Sequence, residues 1–514
     1  MATGDERGAD AAAAYDELTE RYQQYSYLQH AGMVVGWDQQ VMMPDGGAPA
    51  RAKQLGALST VGHDLLTDDA MGAALDRLEG VETADDGQLD GEPFDDDQRA
   101  EVREIRRDYE RSASVPSDLI TRLSEYRSEN QGIWQEAKAE DDYETFAPRL
   151  DGLVDLERER SAAIAPDRDP YEVQYEDRQP YLPLERVEEI FEELRGHLVP
   201  LIERIRTEGR DIPEVVTGTY DAETQEELCR AALDTVGYDW DRGRLDTAPH
   251  PFMSGTQFDA RVTTRFDESS PLAGLMAVIH EYGHASYQQG LRQDAYGSPL
   301  GSPRSSGVHE SQSRFWENHV GRTKPFWELF LPTVKEHFPS LSDLTVDDAY
   351  AAVNRIYPEN RIRVEADELT YHMHIILRCE IDSALMRGEL DVEAVPDVWN
   401  RKMEEYLGVV PDTDAEGCLQ DIHWSSGLGV FHGYTIGSVL AAQLDAALRD
   451  DLDVDGLVRE GEFDPIREWM TEHVHRHGKR YRTDELIEEA TGEPLTADYF
   501  LEYVDEKFTD LYDL

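Results

Sequence analysis

Apolar residues return at three- and four-residue intervals through most of the chain: Tyr15, Leu18, Tyr22 and Tyr25; Phe146, Leu150 and Leu153; Val187, Ile190, Phe191 and Leu194. That spacing lines one face of an α-helix, so the sequence predicts a mainly α protein. One stretch departs from it. In 258–266 (FDARVTTRF), Phe258, Ala260 and Val262 alternate with Asp259, Arg261 and Thr263, the period of a half-buried strand. Residues 81–98 (VETADDGQLDGEPFDDDQ) have almost no apolar content and two clusters of Asp, which predicts a solvated acidic loop inside a single domain spanning 1–514. There is no internal repeat.

Directly after the strand, Ser269-Ser270-Pro271 reads as a helix start and Gly290 as its end. Between them stands His280-Glu281-Tyr282-Gly283-His284. Histidines four apart project from one helix face about one turn apart, so both imidazoles can bind one Zn²⁺, with Glu281 within reach of a metal-bound water. A catalytic zinc needs a third protein ligand. Tyr287 and Gly290 occupy the positions where a longer HExxH motif would carry Gly and His, so the ligand must lie farther on. Between Ala285 and Trp316 the carboxylates are Asp294 and Glu310, and Glu310 sits in what reads as the first turn of a new helix after Ser305-Ser306-Gly307. Glu310 is the natural third ligand; an acid favouring the helix dipole is the plainer reading. His372 and His374 point to different faces, and His473, His475 and His477 crowd a helix end, so neither set converges on a metal. Two imidazoles, a carboxylate and a water make metal-assisted hydrolysis, with Glu281 as general base.

Composition narrows the setting. Asp and Glu number 108 against 49 Lys and Arg, a formal charge of -59 over 514 residues, and only seven of the basic residues are Lys. A surface of short carboxylates depleted in lysine points to adaptation to molar salt, where self-repulsion is screened. The same charge argues against nucleic acid as a partner, since that needs a positive footprint. Three scattered cysteines with no CxxC encode neither a disulfide framework nor a thiolate zinc site. With no signal-like start and no run of 18 apolar residues, the expectation is a cytoplasmic protein without membrane contact.

The motifs together resemble the carboxypeptidase Taq family of metallocarboxypeptidases. They stand as His250-Pro251-Phe252, Asp259-Ala260-Arg261-Val262-Thr263, the HEYGH segment, His309-Glu310-Ser311-Gln312, Ile362-Arg363-Val364-Glu365-Ala366-Asp367, and Gly417 through Trp424 (GCLQDIHW). Trp37-Asp38-Gln39-Gln40, Met43-Pro44 and the HGYTIG around Tyr434 extend the likeness over essentially the whole chain. The resemblance implies a large helical fold in two halves around a deep cleft, with a small sheet beside the HExxH helix, usually a homodimer. It implies removal of single C-terminal residues of broad identity, with Zn²⁺, or Co²⁺ in its place, held by His280, His284 and Glu310. Arg363 then belongs to the segment recognising the peptide's free carboxylate, with His423 and Tyr434 near the reacting carbonyl.

The residue chemistry suits those roles. An Arg fork binds a terminal carboxylate through charge-assisted hydrogen bonds, although Arg361 and Arg355 lie close by, and Arg363 could equally pair with Glu359 or Asp367. His423 and Tyr434 are candidate oxyanion donors. His250 divides between loop structure and substrate contact, and Arg261 between substrate contact and a pair with Asp259. An exposed edge on the 258–266 strand would hold an extended peptide by its backbone and leave side chains unread. Two rivals remain: an oligopeptidase or dipeptidyl carboxypeptidase on a similar cleft, and a non-catalytic acidic scaffold that binds metal weakly.

Overall fold

The structure, a computed structural model, describes residues 4–81, 88–89 and 92–514. The helical spacings of the sequence become helices: Gly4–Val41, Tyr143–Ile164 and Leu184–Glu208 bury Leu18, then Phe146, Leu150 and Leu153, then Val187, Ile190 and Leu194. Short polar side chains start many of them. Asp221 accepts from Thr224 N and Ser305 from Val308 N, which satisfies amides that a helix N-terminus leaves open.

Most helices share one apolar core built around the segment Pro271–Gly290. The N-terminal helices Gly4–Val41, Asp69–Arg77 and Asp96–Ala113 close over a smaller core of their own, formed by Leu18, Tyr22, Met71, Leu75, Val102 and Ile105. Val81 and Phe94 belong to that smaller core, so the acidic stretch 81–98 is not solvated loop throughout. Its last residues already form helix: Asp95 and Gln98 make a reciprocal capping box at the start of Asp96–Ala113. Residues 82–87 and 90–91 lie outside the described residues. No described helix is long and apolar enough to cross a membrane.

Beside the helix Pro271–Gly290 lies a three-stranded sheet, Leu245–Thr247, Asp259–Thr264 and Met253–Thr256 in spatial order. The strand read from the alternation at 258–266 is its centre, parallel to the first strand and antiparallel to the third, with Val262 facing both Leu245 and Met253 in register. Both flanks of that strand are paired, so it offers no free edge to a peptide; the edges belong to 245–247 and 253–256.

Two glycines set how closely the site-bearing helices approach. A β-carbon on Gly283 would fall 2.4 Å from the carbonyl oxygen of Gln312, and one on Gly437 would fall 2.4 Å from Glu310 Cγ. The helix Ser306–Arg314 is thereby seated between Pro271–Gly290 on one side and His432–Asp451 on the other.

Candidate active site

The HExxH spacing does what helix geometry requires. His280 and His284 stand with ring centroids 5.0 Å apart, and Glu310 Oε2 lies 3.9 Å from His280 Nε2 and 3.4 Å from His284 Nε2. Their ligand atoms all fall within 4.8 Å of one another, and among the described residues this is the one such cluster of His, Cys and acidic groups. Glu310 sits in the second turn of its helix rather than the first, one turn deeper than its sequence context suggested.

Each imidazole is turned by its far nitrogen. His280 Nδ1 lies 2.8 Å from Glu317 Oε2, and His284 Nδ1 lies 3.1 Å from the carbonyl oxygen of His309. Both partners only accept, so Nδ1 carries a proton in each ring, and each Nε2 faces Glu310. The His309 ring stacks on His284 with centroids 4.4 Å apart. Burial would raise the Glu310 pKa, but the Arg314 guanidinium, bonded at 2.8 Å, and the two histidines bring it down to about 2. Two imidazole nitrogens and one ionised carboxylate are a donor set that fits a divalent metal ion.

Glu281 is buried on the same helix, and its Oε2 has no hydrogen-bond partner. Burial pushes its pKa up, against the pull of His280 and His284. An orphaned carboxylate oxygen next to a metal-binding cluster is suited to a proton in transit.

A second polar cluster lies beyond Tyr371. Arg363 is buried, but its partner is neither Glu359 nor Asp367: Nε and Nη2 reach Asp421 at 3.1 and 2.8 Å, because 363–365 is a single 3-10 turn packed on the 420–424 segment. Arg363 Nη1 lies 3.4 Å from Tyr371 Oη. The Tyr371 ring in turn lies 4.9 Å from the Arg314 guanidinium that grips Glu310, and 6.1 Å from the Tyr434 ring. One tyrosine therefore spans the gap between the metal cluster and Arg363. Arg361 is paired at the surface with Asp412 and Glu416. His423 packs on Phe431, with Nδ1 3.7 Å from Asp421 Oδ1, and the Tyr434 hydroxyl is held protonated up to about 12, chiefly by burial.

Two expected substrate contacts share no hydrogen bond or ion pair with this cluster. His250 is exposed on the loop before Met253–Thr256. Arg261 is paired with Asp259 at 2.6 Å, its guanidinium 4.3 Å from the centre of the Trp37 ring. That is the pairing its sequence position allowed, and it ties the N-terminal helix to the sheet.

Sequence reasoning missed Glu317, Arg314 and Arg322. Arg322 Nη2 reaches Glu317 Oε1 at 2.8 Å and Arg314 Nη1 reaches Oε2 at 3.1 Å, so one buried carboxylate is held by two arginines and a metal-site histidine. The available signal was three charges in the otherwise apolar run around FWENHV, but the π-helical turn Phe315–Gly321 shifts the register that would have aligned them.

Comparison with known proteins agrees with this geometry. Residues 17–508 match the family described as Carboxypeptidase Taq (M32) metallopeptidase. The thermostable carboxypeptidase 1 of Thermus thermophilus is 38% identical over 513 residues, covering 97% of this chain and 99% of the relative. Carboxypeptidase 1 of Bacillus subtilis is 36% identical, covering 96% and 98%. The crystal structure of the M32 carboxypeptidase from Deinococcus radiodurans R1 superposes with a TM-score of 0.92 at 34% identity, covering 98% of this chain and all of that one. With peptides as its substrates and a divalent metal at its centre, this chain belongs to the carboxypeptidase Taq (M32) family of metallopeptidases.

Proposed function

We propose that this metallocarboxypeptidase is a zinc enzyme that removes single residues of broad identity from peptide C-termini. His280, His284 and Glu310 hold the ion, which Co²⁺ can replace. The observation that carries the reading is the span from Glu310 through Arg314 and Tyr371 to Arg363, with the metal cluster at one end and a buried guanidinium at the other. A carboxypeptidase needs such a ruler, because the scissile carbonyl and the terminal carboxylate are separated by one residue.

Bound at the cluster, zinc supplies Lewis acidity toward the scissile carbonyl and makes a nucleophilic water available near neutral pH. Glu281 takes the proton of the attacking water at its unpartnered oxygen and delivers it to the leaving amine. Tyr434, protonated throughout the working range, donates to the developing oxyanion, and His423 is a second donor. Arg363, oriented by Asp421, binds the terminal carboxylate through the donors Asp421 leaves open. None of these groups reads the departing side chain, which suits broad specificity. We also read the active form as a homodimer, on the strength of the motif resemblance, and sedimentation of the metal-loaded chain tests it.

The test of the activity is mass spectrometry of an N-blocked peptide in high salt, with and without chelator, beside the Glu281→Gln variant. A ladder losing one residue at a time from the C-terminus, absent from both controls, is expected. Dipeptide products or internal cuts would replace this reading with an oligopeptidase, and no cleavage by the metal-replete enzyme would replace it with a metal-binding scaffold.

A further inference from the structure

The charges around Arg363 do not balance. Arg363 and Arg378 share one carboxylate: Arg363 Nη2 reaches Asp421 Oδ1 at 2.8 Å and Arg378 Nε reaches Oδ2 at 2.6 Å. Both guanidiniums are buried, Arg378 with 1% of its side chain exposed. The remaining Arg378 donors go to neutral acceptors, the His374 carbonyl at 2.6 Å and Gln420 Oε1 at 2.8 Å, and the Trp399 ring centre lies 4.5 Å from its guanidinium carbon. Among the described residues no other carboxylate bonds to either arginine. Of the two acids on the same helix, Glu380 is bonded by Arg195, Lys402 and Tyr406, and Asp382 accepts from Trp424 and Gly429, with burial raising its pKa to about 7. Two buried cations against one firmly ionised carboxylate leave a positive charge in a place where unpaired charge is costly.

The excess has an open end. Among the described residues Arg363 Nη1 has one hydrogen-bond partner, Tyr371 Oη at 3.4 Å, and the Tyr371 hydroxyl proton has no acceptor within hydrogen-bonding distance. A guanidinium N–H and a phenol O–H therefore lie side by side with donors unused, next to an uncompensated charge. Arg378 instead engages Asp421, His374 and Gln420.

We propose that in the absence of peptide this pair binds a small monovalent inorganic anion, chloride being the abundant one, and that the anion competes with the terminal carboxylate of the substrate. The proposal rests on Arg363 being the carboxylate site. A single halide neutralises the surplus as a carboxylate does, but it cannot match the two-oxygen geometry of the fork, so peptide displaces it. Affinity for substrate then depends on which anion makes up the ionic strength, and the chemical step does not.

The test is steady-state hydrolysis of an N-blocked dipeptide by the metal-loaded full chain at fixed ionic strength, with methanesulfonate exchanged stepwise for chloride. KM should rise several-fold and linearly with chloride at unchanged kcat. Crystals soaked in bromide should show an anomalous peak within hydrogen-bonding distance of Arg363 Nη1. A KM indifferent to chloride overturns the proposal, as does an empty site in bromide. A bromide peak without any effect on KM means an adventitious ion only, and also overturns it. The underlying reading fails separately: Arg363→Lys with unchanged KM in chloride-free buffer would remove Arg363 from carboxylate recognition. A raised KM in that variant beside a chloride-indifferent wild type would remove only the anion.

Discussion

Glu317 Oε2 takes a hydrogen bond from His280 Nδ1 at 2.8 Å, while both oxygens of Glu317 are also held by Arg314 and Arg322. The carboxylate is thus locked before it meets the imidazole, and the arginines keep it ionised well below the usual range although burial opposes this. Glu317→Gln should keep the fold and lower metal affinity about 10–100-fold, the usual cost of losing such an outer partner. Competition with a fluorescent chelator measures this without any turnover; an unchanged affinity would show that ring orientation is set elsewhere.

Glu281→Gln keeps the volume and the helix but removes the base. We expect kcat to fall about 10²–10⁴-fold with metal content unaltered, because Glu281 contributes no ligand atom to the cluster. Retained activity would move the proton transfer to another group.

Gly437 stands where a β-carbon would lie 2.4 Å from Glu310 Cγ. Gly437→Ala must therefore push apart the helices His432–Asp451 and Ser306–Arg314 or displace the Glu310 side chain. A loss of about 1–3 kcal/mol in denaturant unfolding is expected from overpacking, together with weaker metal binding. Wild-type values for both would mean that the helices yield freely.

Asp382 is buried against Trp424 and Gly429, and burial raises its pKa from 3.8 to about 7. For a carboxyl raised on folding, the folded state holds the extra proton, so its contribution is fully present below about pH 4 and is lost as pH rises through about 7. Unfolding midpoints measured across this window should therefore fall less steeply with pH in Asp382→Asn than in the wild type. Parallel curves would show that Asp382 stays ionised in the fold.

The formal charge of -59 predicts a salt requirement. If carboxylate repulsion drives it, helicity and activity should decline together on dialysis below about 0.5 M salt. Full helicity in dilute buffer would refute salt adaptation.

Local rules carried the reading of the elements. The Pro271–Gly290 helix with its two histidines, the Ser305 cap before Glu310 and the Asp259–Thr264 strand follow from caps, periods and spacing that involve only neighbouring residues. Spacing for His280 and His284, and helix-start context for Glu310, named three candidates that the fold does bring together.

What the tertiary structure decided were partners far apart in the chain. Arg363 had nearby acids at 359 and 367, yet Asp421, 58 residues on, holds it, because burial rewards the carboxylate that the packing of 361–365 against 420–424 brings within reach. The strand Asp259–Thr264 could be read as a strand but not as the central one, since pairing depends on which other segments reach its edges. Glu317 was hidden by the π turn, and the shared Asp421 between two arginines by the distance from Arg378. Sequence by itself determined the elements and the candidate cluster His280, His284 and Glu310; only the folded packing, by choosing which charges are buried together, decided how they are oriented, which further charges hold them and which are left unbalanced.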